Sequence, residues 1–127
     1  MNGDVPQLTY RFHAAIRWVD PPIWRAFSVD ARDTLHHLHR TLQALFGWWD
    51  YHLYEFEVKG MEFSGPGDDW RQTIDSRTVA LRDLGLAVGG TFAYRYDFGD
   101  GWVIDLRVDA IENRVPLLVY PRCHLGA

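Results

Sequence analysis

Thr34-Leu35-His36-His37-Leu38-His39-Arg40-Thr41-Leu42-Gln43-Ala44-Leu45-Phe46-Gly47 is the stretch from which the fold is read. Leu35, Leu38, Leu42, Leu45 and Phe46 recur at intervals that gather apolar side chains on one side of an α-helix. Asp33 or Thr34 supplies an N-cap oxygen, and Gly47 supplies the left-handed stop that helices commonly use. His36, His37, His39, Arg40 and Gln43 fall on the other side and are expected to face water. The apolar stripe needs a sheet to lie on, and the flanking sequence provides strands.

Upstream, Leu8 to Trp18 alternates for most of its length, with Tyr10, Phe12, Ala14, Ile16 and Trp18 on one face and Arg11, His13 and Arg17 opposite. Asp20-Pro21-Pro22 cannot continue a ladder, and Ile23 to Val29 resumes the extended pattern, so two antiparallel strands are expected. Downstream, His52 to Val58 sets Tyr54, Phe56 and Val58 against Glu55, Glu57 and Lys59; Lys59-Gly60 turns the chain and Met61-Glu62-Phe63 can pair back. Ser64-Gly65-Pro66-Gly67-Asp68-Asp69-Trp70 reads as an exposed loop, and Thr78 to Leu86 as a short helical turn containing glycine. Thr91 to Phe98 and Trp102 to Ile111 form a hairpin around Gly99-Asp100-Gly101. The expected class is α+β, a β-grasp-like mixed sheet of about five strands packed on one main helix, which an additional final strand would extend. With no internal repeat or low-complexity run, residues 1–127 read as a single domain.

Hydrophobic residues make up 47% and charged residues 24%, which suggests neither disorder nor a membrane protein. The aromatic share of 15% is the outlier: six Trp, six Tyr and seven Phe exceed what a core of this size needs, so some are expected at the surface or around a pocket. The net charge of −4 repels phosphate backbones and anionic lipids, so nucleic-acid binding is disfavoured without a local basic patch. No basic run followed by an apolar stretch opens the chain at Met1 to Gln7, and no apolar run approaches the ~20 residues of a membrane span, so a cytoplasmic location with no membrane partner is expected. A single cysteine, Cys123, excludes an internal disulfide and any zinc site built from several thiolates.

Pro22-Ile23-Trp24-Arg25, Thr34-Leu35 with Leu38-His39, Gly47-Trp48, Asp50-Tyr51-His52-Leu53-Tyr54-Glu55-Phe56, Tyr94-Arg95-Tyr96-Asp97-Phe98-Gly99-Asp100-Gly101-Trp102 and Tyr120-Pro121-Arg122-Cys123 occur in this order. Together they resemble the plasmid pRiA4b Orf-3-like family, also named as an insertion-sequence passenger, TnpR-like family. The resemblance implies an association with mobile elements and little biochemistry. A serine recombinase needs an activated serine among several arginines and a separate DNA-reading helix pair. Ser28, Ser64 and Ser76 are in no such setting, and no basic recognition helix is visible.

Four constellations can carry chemistry. Asp97 and Asp100, three residues apart at a hairpin mouth between Tyr96, Phe98 and Trp102, could hold a cation or a basic ligand, or could simply cap a tight turn. Asp50 with His52 is a carboxylate beside an imidazole, but no nucleophile accompanies it. His36 and His39, one helical turn apart, with Cys123-His124 elsewhere, lack the convergence a metal needs. Arg11, Arg17, Arg25, Arg40, Arg95 and Arg107 could border a nucleic-acid surface or pair with Glu55, Glu57, Asp105 and Asp109, and the net charge favours pairing. The leading expectation is a non-enzymatic module binding a protein or peptide through Arg25, Trp49, Asp50, His52, Tyr96, Asp97, Asp100 and Trp102, without cofactor, metal or catalytic residue. A nucleic-acid accessory factor is the alternative; an enzyme built on Asp50, His52, Asp97 and Asp100 comes third, and those four around one open pocket would favour it.

Overall fold

The structure, a computed structural model, describes residues 7–65 and 72–126. Most of the loop read at Ser64 to Trp70 lies outside the described residues, as do residues 1–6 and 127. The order is β1 (Leu8–Ile16), β2 (Trp24–Asp30), α1 (Leu35–Phe46), β3 (Tyr54–Val58), β4 (Met61–Ser64), β5 (Ile74–Asp75), β6 (Thr91–Tyr96), β7 (Trp102–Asn113) and β8 (Arg122–Gly126). Short 3-10 turns at Ser76–Thr78 and Leu81–Leu84 precede β6, the second ending at Gly85 as its sequence suggests. The class is α+β.

All eight strands belong to one sheet in the order β5-β4-β3-β6-β7-β1-β2-β8. The expectation of about five strands is corrected: beside β4, read at Met61-Glu62-Phe63, the edge strands β5 and β8 are two and five residues long, too short for alternation to show. Only β4 and β5 pair in parallel among the described strands, and at the centre β7 lies antiparallel to β1 from Leu8↔Asn113 to Ile16↔Ile104. The described residues thus form one main helix on a sheet larger than expected, within the α+β class.

The helix forms as its ends dictate. Thr34 is the N-cap, its hydroxyl accepting from the His37 N–H at 3.1 Å, a contact worth about 1 kcal/mol. Gly47 ends it at φ 71°, and the Arg25 guanidinium donates to the Leu45 carbonyl at 3.1 Å, placing a cation at the negative end of the helix dipole. Leu35, Leu38 and Leu42 are fully buried against Phe12 of β1, Phe56 of β3, Tyr94 of β6 and Leu106 of β7, each leucine contributing roughly 1.5–3 kcal/mol.

Three expectations fail, each for a tertiary reason. Trp18 does not continue the inward face of β1, because the strand ends at Ile16; it turns outward at φ 65°, with the Arg17 guanidinium over its ring. Glu55 is buried although alternation placed it outside, since Arg95 on the neighbouring β6 meets its carboxylate at 2.8 Å. His39 and Gln43 are buried rather than solvated, and they organise the site described next.

Candidate functional site

His39 and Gln43 sit one turn apart on α1 and both reach the hydroxyl of Tyr94 on β6. His39 is 1% exposed; its Nδ1 lies 2.7 Å from Tyr94 Oη and its Nε2 lies 2.8 Å from Asp50 Oδ1. Gln43 Nε2 donates to Tyr94 Oη at 2.9 Å, and the Asp50 N–H donates to Gln43 Oε1 at 2.8 Å. The four residues close a ring of hydrogen bonds, and donor inventory fixes its direction. A carboxylate only accepts, so His39 Nε2–H donates to Asp50, Nδ1 accepts from Tyr94, and Tyr94 accepts from Gln43. Asp50 holds a left-handed φ of 56°, which its backbone bond to Gln43 secures.

Burial pushes the His39 imidazole down to about 4, against the opposing pull of Asp50, so the ring is neutral at pH 7. Burial likewise raises Tyr94, and pushes Tyr54 up to about 12. The Tyr54 ring stacks on His39 with centroids 3.6 Å apart and planes at 8°. Its hydroxyl lies 2.8 Å from His36 Nδ1 and hydrogen-bonds Ser76 Oγ, which the turn at Ser76–Thr78 presents. His36 is shifted down by burial and then by the Arg40 charge.

These groups back a pocket of about 320 Å³ lined by His36 and His39, by residues 50–54 and by Gly65. A Cβ on Gly65 would stand 2.5 Å from Tyr54 Cε1, so the backbone can close over Tyr54 only with glycine there. Tyr51, 80% exposed, lines the pocket, and Trp49, 78% exposed, adjoins Asp50 in the chain. Tyr96 supports this rim: its hydroxyl accepts the Tyr51 N–H at 2.9 Å, and its ring meets Trp48 at 5.1 Å and His52 at 5.7 Å. Trp102, half-exposed, lies 6.0 Å from Trp48.

The residues read from the sequence are only partly brought together. Asp50 and His52 both line the pocket, yet they do not pair: Asp50 turns to His39, and His52 Nε2 faces Asp97 Oδ2 at 3.6 Å. Asp97, at φ 57°, serves the hairpin turn, accepting the Asp100 N–H on its side chain at 3.4 Å and the Gly101 N–H on its carbonyl at 2.6 Å. Asp97 and Asp100 do not line this pocket, and Arg25 is at the helix C-terminus instead. Of Asp50, His52, Asp97 and Asp100, the first two line this pocket and the other two serve the hairpin beside it.

Three of the arginines pair with the carboxylates that the net charge favoured: Arg17 with Asp105, Arg95 with Glu55 and Glu57, and Arg107 with Asp109 on its own strand. Among the described residues no three His, Cys, Asp or Glu side chains gather to hold a metal ion. His36 and His39 stack at 5.7 Å, and both His39 nitrogens are already engaged. His36, His39, Gln43, Tyr51, Tyr54 and Tyr94 were not among the binding residues read from the sequence. His39 carried a signal, for it stands four residues after Leu35 and three before Leu42, beside the apolar stripe.

Among the described residues no helix is long and apolar enough to cross a membrane. The crystal structure of a protein of unknown function from Methanosarcina mazei Go1, MM3350, superposes with a TM-score of 0.85 at 31% identity, covering 96% of this chain and 70% of that one. The uncharacterized protein y4hQ of Sinorhizobium fredii is 33% identical over 120 residues, which are 90% of this chain. The chain spans 62% of the length of that relative. A family model described as plasmid pRiA4b ORF-3-like protein matches residues 8–127, which include the pocket, its aromatic rim and the paired arginines of the sheet, and the chain belongs to that family.

Proposed function

We propose that the protein is a non-enzymatic binding module that seats a protein or peptide segment on the rim of Trp49, Tyr51, His52 and Trp102 and admits one of its side chains to the pocket below. One observation carries this reading: Tyr51, about four-fifths exposed, lines a pocket backed by the closed hydrogen-bond ring of His39, Gln43, Asp50 and Tyr94, and Trp49, as exposed, adjoins Asp50 in the chain. A general base or nucleophile needs a lone pair directed at substrate. Both nitrogens of His39 are engaged in the ring, so it has none to spare. Exposed Trp and Tyr on a rigid support are the side chains that supply most of the affinity at interfaces. The pairing of Arg17, Arg95 and Arg107 with carboxylates weighs against the alternative, a nucleic-acid accessory factor of a mobile element.

The test is selection of random peptides on the immobilised protein, followed by fluorescence anisotropy with the enriched sequence. Binding in the micromolar range is expected, weakened about tenfold or more by Trp49→Ala or Tyr51→Ala. Failure to enrich any peptide, together with retention on DNA that falls steeply as salt rises, would transfer the assignment to the accessory factor.

A further inference from the structure

A second pocket, of about 180 Å³, lies on the other face of the sheet and is lined by Arg11, Arg122, His124, Thr9, Ser28 and Tyr120, among others. Strand register explains the assembly: Arg11 on β1 stands opposite Ser28 on β2, and Ser28 stands opposite Arg122 on β8, so one cross-strand row presents two guanidinium groups about a buried hydroxyl. His124, two residues beyond Arg122, places Nε2 2.7 Å from Ser28 Oγ. Val115, Leu118 and Tyr120 border it from the segment before β8, the same segment that carries the Tyr120-Pro121-Arg122-Cys123 phrase.

Arg11 Nε is buried without a hydrogen-bond partner among the described residues. The one carboxylate of the pocket, Glu112, keeps its Oε1 3.8 Å away, beyond hydrogen-bond distance. A buried N–H donor left unmatched is uncommon and asks for an acceptor. Burial, then the charges of Arg11 and Arg122, lower the His124 pKa against the opposing pull of Glu112. Two arginines against Glu112 then give the pocket a surplus positive charge.

We propose that this pocket is a binding site for a phosphate group borne by a small molecule. Arg11, Ser28 and Arg122 line the pocket from the adjacent strands β1, β2 and β8, and two guanidinium groups beside a hydroxyl suit the several oxygens of a phosphate. The pocket is smaller than the roughly 300–1,000 Å³ that drug-sized ligands occupy, so it admits the phosphate and a few further atoms. It is independent of the aromatic rim.

Sodium phosphate and phenyl phosphate, titrated into the ¹⁵N-labelled protein at constant ionic strength, test it. Saturable shifts of the Arg11 Nε–Hε resonance and of the Ser28 and Arg122 amides are expected, with affinity reduced about tenfold or more in Arg11→Gln and Arg122→Gln. Arg107→Gln, which removes a guanidinium outside the pocket, should bind as wild type. Should the arginine variants not fold, Ser28→Ala removes a polar group of the pocket without changing charge and should weaken binding severalfold. Equal shifts with chloride, equal affinity for acetate, or unchanged binding in both arginine variants would overturn the proposal.

Discussion

Replacing His39 by Gln should change how the stability of the protein depends on pH, and the size of the change follows from the burial of one imidazole. The folded pKa of His39 is about 4, while the unfolded chain returns it to the ordinary 6.5. A histidine depressed in this way binds fewer protons folded than unfolded, so its stabilising effect is complete above pH 6.5 and is lost as pH falls towards 4. Between pH 7.5 and 4.5 the wild type should lose about 2.5 kcal/mol from this group, a large part of an ordinary net stability. Asp30 and Asp75, each lowered to about 2 by Arg32 and Arg77 respectively, release their stabilisation below this window. His36 and His124 are also depressed, but they are present in both proteins and their effects largely cancel. Urea unfolding of wild type and His39→Gln at a series of pH values measures the difference. The variant should be less stable at pH 7.5, and the gap should narrow by about 2.5 kcal/mol by pH 4.5. Parallel profiles would refute the assignment of His39 as a neutral, buried member of the ring.

Two further substitutions test the ring and the pocket it supports. Tyr94→Phe removes the hydroxyl that serves His39 and Gln43 together, and should cost about 1–3 kcal/mol in urea unfolding, whereas an unchanged midpoint would show the ring to be energetically idle. Gly65→Ala should drive Tyr54 off His39 and lower stability by about 1–3 kcal/mol; ring proton shifts of His36 and His39 report the displacement, and unmoved shifts would contradict the close approach.

The sequence makes the helix legible because its determinants are local: the Thr34 cap, the leucine spacing and Gly47 lie within one short segment. Long strands and tight hairpins are legible for the same reason, as β1, β7 and the Asp97 turn illustrate. Burial of polar residues is set from far away. His39 and Gln43 look like a wet helix face until Tyr94, more than fifty residues on, meets them, and Glu55 looks exposed until Arg95 reaches it. Asp50 and His52 both belong to the pocket, but residue types alone could not say that each would choose a partner other than its neighbour.

The central pairing of β1 with β7 sets the order of events during synthesis. Its ladder starts at Leu8↔Asn113, so the first strand waits for nearly the whole chain before its second neighbour exists. At roughly 5–20 residues per second, the inner edge of β1 emerges several to about twenty seconds ahead of the strand that covers it. Pairs this remote in sequence also slow the search for the native topology. During that interval the bare edge carries Tyr10 and Phe12, a template for pairing with a neighbouring nascent chain, and crowding on one messenger favours such mispairing.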